Sequence, residues 1–173
     1  MLTANKSLHF YIGRLGSGKT HLAKQYTESL NRTYNLDAVF IDVSTVMKSF
    51  VGSNATREQL QDFKNLMKEE PRFLVDELHR LINSVPNKEF VITGLREPWI
   101  YKELSKTYKV RQVVFVDAKP HLRRQRRKLA QDVFEQQEAK DKSLGIDELI
   151  ELVSSVATVI GNDFEEQISS LSD

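Results

Sequence analysis

The sequence predicts an α/β fold, a parallel sheet with helices on both faces, and three observations lead there. Short apolar runs recur along the chain, at 8–12 (LHFYI), 38–43 (AVFIDV), 89–93 (EFVIT), 112–116 (QVVFV) and 156–160 (VATVI). Segments of helical periodicity separate them. The runs are continuous rather than alternating, as strands buried on both sides read. Five strands are expected, and ligands of such sheets sit beyond the strands' C-terminal ends.

Taken in order, strand 8–12 runs into a glycine-spaced loop and then a helix with Leu22, Tyr26 and Leu30 on one face. Strand 38–43 carries Asp42 near its end. A long helical stretch over 44–88 follows. Within it, residues 56–69 place Leu60, Phe63 and Met67 on one face, and Thr56 with Gln59 forms a capping box. Residues 72–85 turn Leu74, Leu78, Leu81 and Val85 inward. Strand 89–93 ends at a Gly94 turn, and a short helix runs from Pro98 to about Lys106. Strand 112–116 ends at Asp117. A charged helix is expected from Pro120 to about Lys140, with proline in its first turn. A short helix at 147–153, strand 156–160 and a helix at 164–171 complete the reading.

Composition narrows the function classes. At 173 residues the chain is read as one domain spanning 1–173 with a sizeable core. Lys plus Arg number 25 against 24 acids, a balance too even to advertise nucleic acid. With no cysteine, disulfides and thiolate metal sites are excluded, which agrees with a cytoplasmic location. No apolar stretch approaches the roughly 20 residues of a membrane span. The run in MLTANKSLHFYIG is too short for a signal-peptide core.

The strongest motif is Gly13-Arg14-Leu15-Gly16-Ser17-Gly18-Lys19-Thr20, which fits G-x-x-x-x-G-K-[ST] between a strand and an amphipathic helix. Glycines let backbone N–H groups turn inward around a β-phosphate, and the helix N-terminus adds its dipole. Lys19 would reach the β- and γ-phosphates of ATP, and the Thr20 hydroxyl would ligate Mg²⁺. The bare alternative is a glycine-rich β–α turn, which the strand–loop–helix context argues against. Arg14, Arg57, Arg96, Arg123 and Arg126 all fall near the ligand-bearing edge, and guanidinium forks suit phosphate. The run RRQRRK at 123–128 reads as a solvated helix face or a basic patch. Without interleaved aromatics it argues weakly for nucleic acid. His9, His21, His79 and His121 show no ligand spacing, and Trp99 reads as packing.

Four stretches, GRLGSGKT (13–20), TREQLQDFKNLM (56–67), VITGLREP (91–98) and VDAKPHLRRQR (116–126), resemble the nucleoside monophosphate kinase superfamily in order and spacing. LGIDELI (144–150) and VIGND (159–163) resemble its tail. The nearest likeness is to small adenylate-kinase-like and deoxynucleoside monophosphate kinases. This resemblance implies a five-stranded parallel sheet of order 2-3-1-4-5, a P-loop NTPase of the nucleoside monophosphate kinase type. It also implies an acceptor-binding helical insertion over about 44–88 and a short lid over about 127–142. Arg57 would bind the acceptor's phosphate, Gly94 and Arg96 would lie on the acceptor side, and Arg123 with Arg126 would belong to the lid closing on the donor phosphates. Relatives commonly carry Asp where this chain has Thr93, so Asp42 becomes the candidate for holding Mg²⁺ through water.

Asp42 keeps other readings open. It could accept the proton of a hydroxyl acceptor, as in a dephospho-coenzyme-A-kinase-like enzyme, or cap the next helix. A phosphate acceptor needs no base, only positioning and charge neutralisation. The leading expectation is an ATP-dependent phosphotransferase acting on a (deoxy)nucleoside monophosphate, as a monomer or homodimer. A weakly catalytic nucleotide-binding protein is the alternative from another class, motivated by Thr93.

Overall fold

The computed structural model describes residues 5–67, 70 and 72–163. Five strands, β1 (Ser7–Ile12), β2 (Val39–Asp42), β3 (Glu89–Thr93), β4 (Lys109–Asp117) and β5 (Thr158–Gly161), form one parallel sheet. Its order is β2-β3-β1-β4-β5, the order that the resemblance implies. The two middle strands β1 and β3 are buried along their whole length. This is why their sequences show no alternation.

Successive side chains of β1 divide between two layers. Leu8, Phe10 and Ile12 join the larger core, built with Val46 and Met47 of helix α2 (Val43–Val51) and Leu60 of α3 (Arg57–Leu66). Leu78 and Ile82 of α4 (Arg72–Asn83), Ile100 and Leu104 of α5 (Pro98–Thr107), and Leu149 and Val153 of α8 (Ile146–Val153) complete it. Tyr11 turns to the opposite face and packs with Ala23 and Leu30 of α1 (Lys19–Tyr34). His9 shares that face. Its ring lies 2.7 Å from Glu89 and 3.2 Å from the Tyr26 hydroxyl, so it is a satisfied structural histidine.

Three departures from the sequence reading have physical causes. The segment after β2 folds as the separate helix α2, capped by Asp42 itself. Strand β4 begins at Lys109 rather than 112. Its first half alternates in exposure, and its polar residues escape an apolar-run reading. Arg111, in that half, reaches Ser7 at 3.1 Å and Glu89 at 3.3 Å.

The charged helix expected over 120–140 is two helices, α6 (Pro120–Arg127) and α7 (Gln131–Leu144). They break at Lys128, which sits in the left-handed region at φ 52° with no glycine or proline to announce it. The Thr56–Gln59 capping box is present at the start of α3. The helix expected at 164–171 lies outside the described residues.

Candidate active site

The loop between β1 and α1 lies at the C-terminal edge of the sheet. Gly16 and Gly18 adopt φ of +75° and +89°, conformations that L side chains rarely take. A Cβ on Gly16 would also run into the Arg123 carbonyl. Helix α1 starts at Lys19 with no side-chain cap and no acid in its first turn. Its first N–H groups therefore keep the helix dipole's positive end for an anion. Ser17 Oγ is buried with no protein partner. These features fit a phosphate-binding loop.

The loop is braced from outside by arginines. Arg123, 3% exposed, donates to the carbonyls of Ala118 (3.0 Å) and Leu15 (3.1 Å) and forks onto Glu138 of α7 at 2.6 and 3.1 Å. Arg126 donates to the Gly16 carbonyl at 3.3 Å and to that of Asn162 at 2.5 Å. Asn162 in turn donates to the Ser17 carbonyl at 2.9 Å. Arg14 pairs with Asp147 in the first turn of α8 at 2.6 Å.

On the other side of the loop is a polar pocket of about 80 Å³. Lys19, Thr20, Asp42, Arg57, Gly94 and Arg96 all line it, residues drawn from four separate stretches of the chain. Arg14, Arg123 and Arg126 do not line it. Lys19 is buried, its Nζ 3.3 Å from the Arg14 carbonyl. Burial, followed by the Arg96 and Arg57 guanidiniums, pushes its ammonium well below its usual value. An incoming anion would oppose that shift and favour the ammonium.

Asp42 Oδ1 accepts from Ser44 N (2.9 Å) and Ser44 Oγ (2.8 Å), capping α2 while its carboxylate still lines the pocket. Gly94, at φ +91°, lets the turn after β3 lie against it, since a Cβ there would sit 2.9 Å from Asp42 Oδ1. Thr93 pairs in register with Asp42, and its hydroxyl is buried without a partner. A hydroxyl (Thr20) and a carboxylate (Asp42) are hard oxygen donors suited to Mg²⁺ carried in on phosphates. No cluster of three or more His, Asp or Glu able to hold a metal by itself occurs among the described residues.

Sequence reasoning missed the pocket's most constrained residue. Asp141 of α7 is 2% exposed and holds Arg57 Nη2 at 2.6 Å and Arg96 Nε at 3.0 Å, both on Oδ2. Gln61 donates to Oδ1 at 2.6 Å. Burial opposes ionisation of Asp141, but Arg96, Arg57 and the Gln61 hydrogen bond outweigh it and hold the carboxyl well below the usual carboxylate range. Arg57 is itself lowered to about 10, first by burial and then by Arg96, with Asp141 opposing both. A signal existed: Asp141 falls seven residues after Phe134 and three before Leu144, on the buried stripe of α7.

A second pocket of about 500 Å³ adjoins the first, sharing Met47, Lys64 and Leu144 with it. It is lined chiefly by Met67, Phe73, Leu74, Trp99 and Ile100, so Trp99 packs at a cavity wall. Lys64 is half-buried there, against Glu97 at 3.3 Å.

Strand order, phosphate loop and helix placement define a P-loop fold of the nucleoside monophosphate kinase type. A solved structure, shikimate kinase from Bacteroides thetaiotaomicron, is similar over 94% of this chain and 90% of that one, with a TM-score of 0.55 and 19% identity. At that identity the likeness establishes the shared fold. No family model matches the sequence. No curated protein matches it in sequence. Among the described residues no helix is long and apolar enough to cross a membrane.

Proposed function

We propose that this chain is an ATP-dependent kinase that transfers the γ-phosphoryl group to a nucleoside or deoxynucleoside monophosphate. The observation that carries this reading is the convergence of Lys19, Arg57 and Arg96 on one pocket beside the N-terminus of α1. Bringing two anions together requires cations between them, and phosphoryl transfer depends on such positioning and neutralisation. The Gly13–Gly18 backbone, with Arg14, Ser17, Lys19 and Thr20, holds the donor. Arg57, Gly94 and Arg96 form the acceptor side. Mg²⁺, held by Thr20 and through water by Asp42, would offset charge on the donor phosphates. The adjoining apolar pocket suits an acceptor with an anion at one end and a flat, weakly polar body at the other.

Arg123 and Arg126 support catalysis in this reading by fixing the loop that carries Lys19. The lid expected over about 127–142 then corresponds to helix α7, which Glu138 and Asp141 tie to Arg123, Arg57 and Arg96 beside the pocket, where it would exclude water.

A second reading rests on Asp42, whose carboxylate lines the same pocket as Lys19 and Thr20. There it could take the proton of a hydroxyl acceptor, as a dephospho-coenzyme-A-kinase-like enzyme would require. The test is an acceptor panel with ATP and Mg²⁺, read by ADP formation. We expect turnover with at least one nucleoside or deoxynucleoside monophosphate, abolished in Lys19→Ala. Phosphorylation of dephospho-coenzyme A alone would replace the leading reading with the second. ATP binding without turnover of any acceptor would identify a nucleotide-binding protein instead.

A further inference from the structure

Two guanidiniums held side by side in a half-closed pocket repel each other, and that repulsion must be met by an anion. Here the anion belongs to the protein. Arg57 comes from the first turn of α3, Arg96 from the turn after β3, and both meet one oxygen of Asp141, at 2.6 and 3.0 Å. The other oxygen is taken by Gln61, which also donates to the Gln137 carbonyl and so ties α3 to α7. One turn before Asp141, Glu138 is forked by Arg123, which reaches the Leu15 carbonyl of the phosphate loop. The helix bearing Asp141 is therefore pinned on both sides. Arg57 Nε and Arg96 Nε are both buried without a hydrogen bond, the Arg96 contact to Asp141 being an ion pair, and both arginines line the polar pocket.

We propose that Asp141 is a positioning residue that assembles Arg57 and Arg96 into a single anion-binding unit for the acceptor. The inference rests on the reading that this pocket takes the acceptor's anion. Asp141 touches neither substrate in this account. It balances one positive charge and fixes the direction of both forks, leaving an excess of positive charge toward the pocket. Removing the carboxylate lets the guanidiniums separate, so anion affinity falls although the local charge becomes more positive. This sign is opposite to that of simple Coulomb attraction, under which Asp141→Asn would tighten anion binding.

The experiment titrates inorganic phosphate into protein saturated with a non-hydrolysable ATP analogue and Mg²⁺, so that the phosphate loop is occupied. Wild type, Arg57→Ala, Asp141→Asn, Arg96→Gln and the Asp141→Asn/Arg96→Gln pair are compared, with analogue affinity as the control. We expect Asp141→Asn to weaken phosphate at least tenfold and to change analogue affinity less than twofold. The double variant should bind phosphate no worse than Arg96→Gln alone, because the repulsion that Asp141 offsets is then gone. A general structural role would instead add its cost in the double variant. If Asp141→Asn does not fold, Gln61→Met, which removes only the amide on Oδ1, should weaken phosphate about threefold. Phosphate affinity unchanged in Gln61→Met, or unchanged or tighter in Asp141→Asn while Arg57→Ala abolishes it, overturns the positioning role alone. Phosphate affinity insensitive to Arg57→Ala overturns the acceptor reading and this inference with it.

Discussion

The two sides of the phosphate loop use the same residue type in opposite ways. On the outer side, Arg123 and Arg126 donate to backbone carbonyls of the loop and its neighbours, and Glu138 completes the clamp. On the pocket side, Arg57 and Arg96 share one carboxylate, and the backbone contact there is the one Arg96 donates to its neighbour's carbonyl, Leu95, at 3.0 Å. An arginine tied to carbonyls holds shape, because those partners carry no charge for a substrate to replace. Arginines paired on a single carboxylate retain positive potential toward a ligand. Sequence alone places all four near the loop, and only their partners separate the two roles.

The difference can be broken at several points, beginning with the largest effect. Lys19→Ala should reduce kcat by at least about a hundredfold, the order expected when a group that neutralises charge in phosphoryl transfer is lost. Single-turnover ADP formation measures it, and retention of a tenth of the activity would contradict the loop's assigned role. Arg57→Ala should raise the acceptor KM roughly tenfold to a hundredfold, as loss of a charge-assisted contact does. The KM for ATP should stay within about twofold, and equal rises in both constants would erase the division between the two sides.

Arg123→Met should act on stability first. It strips the Leu15 and Ala118 carbonyls and Glu138 of a buried donor. The cost should be about 2–4 kcal/mol in urea unfolding. Wild-type stability would show that the clamp is not structural.

The smallest effect concerns pH. The Asp141 carboxyl is held below its unfolded value of about 3.9, so its ion pairs contribute fully above that pH and are lost as pH falls toward the folded value. The stability gap between wild type and Asp141→Asn should therefore be constant from neutral pH down to about pH 4 and shrink below it. A gap that widens on acidification would mean the carboxyl is not paired as described.

Much of the fold is legible in the sequence, because each strand is an apolar run buried by its neighbours. The polar start of β4 is not, since it depends on distant partners such as Ser7 and Glu89, and the break at Lys128 is not, since its left-handed cap falls on a residue that does not announce one. The site divides similarly. Lys19 and Thr20 announce themselves through glycine spacing, and Arg57 through a capping box that starts its helix. Asp141 hides in a charged helix where acids ordinarily face water, and only its alignment with Phe134 and Leu144 marks it as buried. Asp42 was open to three readings, and the structure shows the cap together with its place at the pocket.

In the proposed reaction donor and acceptor anions meet across Lys19, with Arg57 and Arg96 on the acceptor side. A bisubstrate analogue, two nucleosides joined through five phosphates, tests it most directly by calorimetric titration with Mg²⁺. Binding should be at least about a hundredfold tighter than that of the ATP analogue alone, with most of that gain lost in Arg57→Ala. Binding no tighter than the donor half, or a gain that survives Arg57→Ala, would contradict it.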